Sequence, residues 1–180
     1  MTRDPLFFIA ALPREDIQQE VTRFKQDCER LFHASHALKT PPHLTLIPPF
    51  TWPRTRLGEL ANALDDFALS QSELEIELRG FDCFKPKVIF IDVVVNQRLK
   101  DLQSSLFHHL EKSVRFVDER SNRFHPHVTI AHRDLNPAVF PPAWAYFSKI
   151  EYRRTFQLDR ITLLEHVRGR WEMFEEYYFS

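Results

Sequence analysis

His43-Leu44-Thr45-Leu46 and His127-Val128-Thr129-Ile130 share one form: histidine, apolar, threonine, apolar. On a strand, successive side chains point to opposite faces. Each histidine therefore shares a face with its threonine, while the apolar pair anchors the strand from behind. Imidazole, with an unperturbed pKa of about 6.5, can take or give a proton near neutral pH. Two imidazoles on opposite sides of a phosphorus atom suit an in-line displacement. One activates a water and the other protonates the departing ribose oxygen of a cyclic phosphodiester. Threonine hydroxyls two residues along can hydrogen-bond the non-bridging oxygens and hold the phosphate in place. Such chemistry requires no metal and no cofactor.

A single tetrapeptide of this form arises by chance in a chain of this composition with a probability of roughly 0.08; two arise in about three chains per thousand. Their placement strengthens the case. Leu6 falls near the equivalent of Val88, His43 onto His127 and Glu73 near Phe156, all about 82 to 84 residues apart. A lone strand histidine is ordinarily a surface or satisfied core group, and threonine is an ordinary strand residue. The pairing in repeat register is what makes His43 and His127 catalytic candidates, with Thr45 and Thr129 as phosphate ligands.

The elements that must position these residues follow from periodicity. LFFIAAL (6–12) reads as a buried strand. The segment after Pro13 is a helix with Ile17, Val21, Phe24, Cys28 and Leu31 on one face. HLTLI (43–47), bracketed by Pro41–Pro42 and Pro48–Pro49, is a short strand, and 55–69 is a helix. ELEIELRGFDCF (73–84) alternates as a strand. The second half repeats the order: strand 87–95, a helix with Leu99, Leu102, Leu106 and Leu110, and strand 127–131. One long strand over 154–166 follows, with a hairpin partner at 171–179 across the turn RGR. The fold class is α+β. It is a duplicated bilobal unit with two antiparallel sheets flanked by helices and a central cleft carrying both motifs. The chain reads as one bilobal domain over 1–180, with pseudo-repeats of about 5–84 and 86–166 and a closing strand at 171–179.

Composition bounds the partners. With 24 Lys+Arg against 25 Asp+Glu, the chain lacks the general basic surface of a non-specific duplex binder. Near-neutral charge favours a small or terminal substrate, an RNA end or a small cyclic nucleotide, over a long RNA. Cys28 and Cys83 make neither a disulfide framework nor a four-ligand zinc site. The first apolar run is too short for a signal peptide, and no stretch approaches a membrane span. A cytoplasmic protein without a membrane or a stable protein partner is expected.

Other residues carry weaker signals. Phe50, Trp52 and Phe124 flank the motifs and are candidates for base stacking, though plain packing competes. Arg115, Arg120 and Arg123 form either a basic rim or a solvated loop with Asp118 and Glu119. His125 orients a loop or lines the cleft. A metal site would need it together with Asp82 or Asp92. His33, His36, His108 and His109 read as structural or solvated.

The paired motifs, the opening FFIAALP, the alternating strand before the midpoint and the closing GRWEMFEEYYF together resemble the 2H phosphoesterases, in particular the 2′-5′ RNA ligase-like, or RNA 2′,3′-cyclic phosphodiesterase, branch. The resemblance implies a bilobal fold with a central cleft and cofactor-free phosphodiester hydrolysis, with a role in RNA processing. It assigns His43 and His127 as the catalytic pair, leaning towards His43 as general acid and His127 as general base. Members of that branch often carry arginine three residues after the second threonine. Here His132 takes that place and Arg133 follows. Strand parity would put Arg133 on the face of His127 and Thr129, so Arg133 or His132 would serve as the phosphate clamp. The leading function is hydrolysis of a 2′,3′-cyclic phosphate to a 2′-phosphate, with reversible 2′-5′ ligation as the same displacement run backwards. The competing one is a non-catalytic module gripping an RNA end or nucleotide in the same cleft.

Overall fold

A computed structural model describes residues 4–118 and 123–180. Twelve elements follow in order: β1 (Leu6–Ala11), α1 (Glu15–Phe32), β2 (Leu44–Thr51), α2 (Leu57–Leu69), β3 (Leu74–Phe84), β4 (Val88–Val93), α3 (Gln97–Val114), β5 (His127–Ala131), α4 (Phe140–Phe147), β6 (Arg153–Leu158), β7 (Arg160–Val167) and β8 (Arg170–Tyr178). The strands form two four-stranded sheets, ordered β2-β1-β7-β8 and β5-β4-β3-β6. Every pairing in both is antiparallel. The fold is α+β, with the motif strands β2 and β5 each at the edge of its own sheet and in contact with each other.

Hydrophobic periodicity explains most of this. Along α3, Leu99, Leu102, Leu106 and Leu110 are all buried, and the Asn96 side chain caps the helix by accepting from Leu99 N–H at 2.8 Å. Along α1, Ile17, Val21 and Cys28 are buried, but Leu31 faces solvent. The helix ends one residue later, where His33 adopts a left-handed conformation (φ 57°) and its N–H bonds the Glu29 carbonyl. Lys25, in the i+4 row of Ile17 and Val21, occupies the buried face instead.

Three expectations change. The segment 154–166 is two strands: β6 pairs with β3 in the second sheet, and β7 pairs with β1 and β8 in the first. Burial marks the switch, from alternation along β6, which lies at a sheet edge, to five consecutive buried residues along β7, which lies inside the first sheet. Strand β2 does not stop at Pro48–Pro49 but runs to Thr51. An edge position tolerates prolines, and register shifts against β1 absorb the irregularity. Helix α4 was not foreseen; Pro141 and Pro142 stand in its first turn, a favoured start.

The sheets do not divide the chain into consecutive halves. β3 belongs to the second sheet, while β7 and β8 return to the first. A bulge in β3 between Leu78 and Phe81 places Gly80 at φ 68°, a conformation glycine adopts without penalty, and its N–H bonds the Tyr152 carbonyl at 2.7 Å. The closing hairpin turns on Arg168 and Gly169, both at positive φ as a two-residue turn between right-twisted strands demands.

Candidate active site

Both motif histidines are held the same way. His43 Nδ1 lies 2.8 Å from the Pro41 carbonyl, and His127 Nδ1 lies 2.7 Å from the His125 carbonyl. A carbonyl can only accept, so Nδ1 carries the hydrogen in each ring and Nε2 is the basic nitrogen of the neutral form. Each ring also leans on a phenylalanine from the neighbouring strand. Phe8 lies 4.9 Å from His43 between centroids, and Phe90 lies 4.8 Å from His127. The carbonyl fixes the tautomer and the phenylalanine fixes the tilt.

Thr45 and Thr129 come from different sheets and line one cavity of about 200 Å³, together with His43, His132 and Arg133. His127 shares the strand and face of Thr129 but sits just outside this lining. Its ring packs among Phe84, Phe90 and His125. The alternation predicted for Arg133 fails, because β5 ends at Ala131 and Arg133 adopts φ 60°. His132 and Arg133 nonetheless both reach the cavity.

The site is electrostatically one-sided. Among the described residues lining the cavity there is no carboxylate, and the basic side chains besides the imidazoles are Lys25 and Arg133. Burial, then the positive charge of Lys25 and, less strongly, His127 and His132, holds His43 down to about 3, against the raising effect of its bond to Pro41. Burial, with His36 and Arg133, holds His132 down to about 4. His127 is lowered too, chiefly by burial, but Asp92, its cross-strand partner on β4, pulls the other way. All three imidazoles are thus neutral in the open site at pH 7.

Several residues went unrecognised in the sequence. Lys25, Thr40, Phe8 and Trp171 line the cavity. Lys25 was visible in principle, as a charge in the buried i+4 row of α1. Trp171, which packs edge-on against Phe8 at 4.6 Å, offered no signal beyond its aromaticity. His36 is a site neighbour rather than a solvated residue. It sits in the short 3-10 helix His36–Lys39 with its ring 4.9 Å from His132. Asp134 fixes that contact by accepting from the backbone N–H groups of Ser35 (2.9 Å) and His36 (2.8 Å).

Other candidates fall away from the cavity. Phe50 and Trp52 are buried core residues. Phe50 packs on Phe7, Trp52 and Phe116, and Trp52 donates its indole N–H to the Arg56 carbonyl. Neither presents a free ring to a base, a correction that follows from β2 continuing inward past its prolines. Phe124 is half-buried against the core. Arg115 and Arg123 are exposed and do not line the cavity; Arg120 lies outside the described residues. Among the described residues no three His, Cys, Asp or Glu group as metal ligands. Burial pushes the Cys28 thiol up to about 12, so it is no nucleophile at neutral pH. Among the described residues, no helix is long and apolar enough to cross a membrane.

Known proteins are similar to this chain in sequence and in fold. A protein of Geobacillus sp. (strain WCH70) named "putative phosphoesterase" is 26% identical over 172 residues, covering 94% of this chain and 93% of its own. Escherichia coli LigT, in a crystal structure with 3′-AMP, superposes with a TM-score of 0.70 at 18% identity over 99% of both chains; other crystal structures of LigT hold NADP+ and ATP. The protein TT0787 of Thermus thermophilus superposes with a TM-score of 0.66 at 16% identity over 97% of both. The model of the 2′-5′ RNA ligase superfamily matches residues 13–170, and with that match the chain belongs to this superfamily of 2H phosphoesterases.

Proposed function

We propose that the protein hydrolyses a 2′,3′-cyclic phosphate, on an RNA end or a nucleotide, to a 2′-phosphate without a metal ion. The observation that carries this is that His43, Thr45 and Thr129, from two His–x–Thr motifs on separate sheets, line one acid-free cavity, with His127 on the strand face of Thr129 just outside it. Thr45 and Thr129 hydroxyls, with Arg133 and His132, hold the non-bridging oxygens. His127 Nε2 takes a proton from water as its oxygen attacks phosphorus. The bond from phosphorus to the ribose 3′ oxygen breaks on the opposite side, and that oxygen takes a proton from His43. The assignment follows the electrostatics. His127, near Asp92, is the better base, and His43, among basic side chains, is the stronger acid when it carries a proton taken from solvent. With a ribose hydroxyl in place of water, the same site run backwards would join a 2′-5′ linkage.

A cavity of about 200 Å³ suits a single phosphate with part of its ribose, hence a terminal or small substrate. That nucleotides occupy LigT, a protein of the same fold, supports a nucleotide ligand here. The test is incubation with 2′,3′-cyclic nucleotides and an RNA oligomer ending in a cyclic phosphate, with EDTA throughout. Wild type should yield a 2′-phosphate, and His43→Ala and His127→Ala should not. Nucleotide binding without turnover of any phosphoester would make the protein a binding module instead.

A further inference from the structure

Lys25 is an anomaly in energetic terms. It is 2% exposed, yet among the described residues it forms no ion pair with a carboxylate. Its Nζ donates to two backbone carbonyls, Ala37 at 3.0 Å and Thr40 at 2.8 Å. A buried ammonium without a counter-ion is costly and tends to lose its proton. A neutral amine has two hydrogens, and two carbonyls use both. Lys25 also forms part of the wall between two cavities, the one carrying both threonines and an adjoining one of about 290 Å³ that also meets Lys39 and Arg170.

We propose that the missing counter-ion is the phosphoryl group of the ligand, and that Lys25 takes up a proton as a dianionic phosphate enters the cavity. This rests on the phosphoester function proposed above and goes beyond it, because it assigns the site a charge preference. A cyclic diester carries one negative charge, whereas a phosphomonoester, with a second pKa of about 6, carries nearly two at pH 8. The lysine proton therefore favours the product over the substrate, and product release becomes easier as pH rises.

Lys25 faces titratable and charged groups from each element around it. Cys28 on α1 is held neutral, its thiol raised by burial. His43 before β2 and His132 after β5 are neutral. Arg133, Lys39 and Arg170 are cations on the two cavity walls. Asp134, the nearby acid, is engaged with Ser35 and His36. Burial accordingly draws Lys25 down to about 7, so a proton acquired at pH 8 is the lysine's; the imidazoles start from about 3 and about 4.

Sulfate is the probe, since it remains a dianion between pH 6 and 9. Titration calorimetry at pH 8 in two buffers of different ionisation enthalpy counts the protons. Wild type should take up most of one proton per sulfate, and its affinity should fall severalfold, at most tenfold, per pH unit above 7.5. Lys25→Met should bind at least tenfold more weakly at pH 7 and show no uptake at pH 8. If Lys25→Met does not fold, Lys25→Gln, which keeps donors for both carbonyls, serves in its place. A lysine that merely braced the 37–40 turn would lower affinity equally at all pH values, and unchanged proton uptake in the variant would overturn the proposal. So would wild-type binding without proton uptake. Turnover is scored separately. Lysine-linked sulfate binding without any esterase activity would refute the catalytic assignment and leave this one standing.

Discussion

The His43 and His127 half-sites are built alike up to the imidazole and differently beyond it. Each ring gives its Nδ1 hydrogen to the carbonyl two residues earlier, and each rests on a phenylalanine at nearly the same centroid distance. Past that point His43 meets Lys25, His132 and the cavity, whereas His127 meets Asp92, His125 and the exposed ring of Phe84. The shared part sets orientation and tautomer, which a proton donor and a proton acceptor both need. The unshared part sets proton affinity, in which the two roles must differ. Two copies of one motif can thus divide acid and base work through their neighbours alone.

The largest test of that division removes the imidazoles. His43→Ala and His127→Ala should each lower kcat on a cyclic phosphate by about 10²–10⁴-fold. The comparison sharpens if the two losses respond oppositely to pH in single-turnover measurements, and breaks if one variant retains full activity. Next in size are the threonines. A hydrogen bond to a charged group contributes about 1.5–3 kcal/mol, so Thr45→Val and Thr129→Val should each cost roughly 10- to 100-fold in kcat/KM. A loss confined to one of them would mean the phosphate sits against one wall.

The third test is stability against pH. In the folded state His43 and His132 stay neutral down to about 3 and about 4, while in the unfolded chain they charge near 6.5. The unfolded state therefore binds more protons between these limits, and stability falls as pH drops from 6.5 towards 4. Urea denaturation should show a loss on the order of 5 kcal/mol over that window. His43→Gln should flatten the fall more than His127→Gln. An equal effect of the two substitutions would contradict the asymmetry of their surroundings. The smallest effect is on the backing rings. An aromatic pair contributes about 0.5–1.5 kcal/mol beyond its buried area, so Phe8→Leu and Phe90→Leu should each reduce kcat a few-fold and lower Tm by several degrees. Phe8→Leu should also disturb Trp171, against which it packs.

Much of this was legible in the residues. The motifs, three of the four helices and both motif strands follow from periodicity, because each element buries one apolar face. Whatever depends on which sheet an element joins was not legible. The 154–166 segment alternates and then runs apolar, and nothing local says that Asp159 is where the chain changes sheets. Phe50 and Trp52 were attractive as stacking residues because they follow His43 closely in sequence. A strand that continues through two prolines carries them into the core instead. The cavity walls supplied by Lys25, Thr40 and Trp171 come from a helix, a turn and a strand, so only the folded chain brings them to one cavity.

The return of β7 and β8 to the first sheet governs the order in which the protein can come into being. β1 leaves the ribosome well before β7, one of its two partners. Until Arg160–Val167 has emerged, β1 has one edge unpaired and the apolar residues Phe7 and Ile9 lack the β7 partners they have in the folded sheet. The second sheet, built from β3 to β6, can close earlier. A nascent chain stopped after Asp159 should hold a formed second sheet and a first sheet that is still open, sensitive to protease and prone to edge pairing with other chains. The half-site of His43 would then acquire its shape after that of His127.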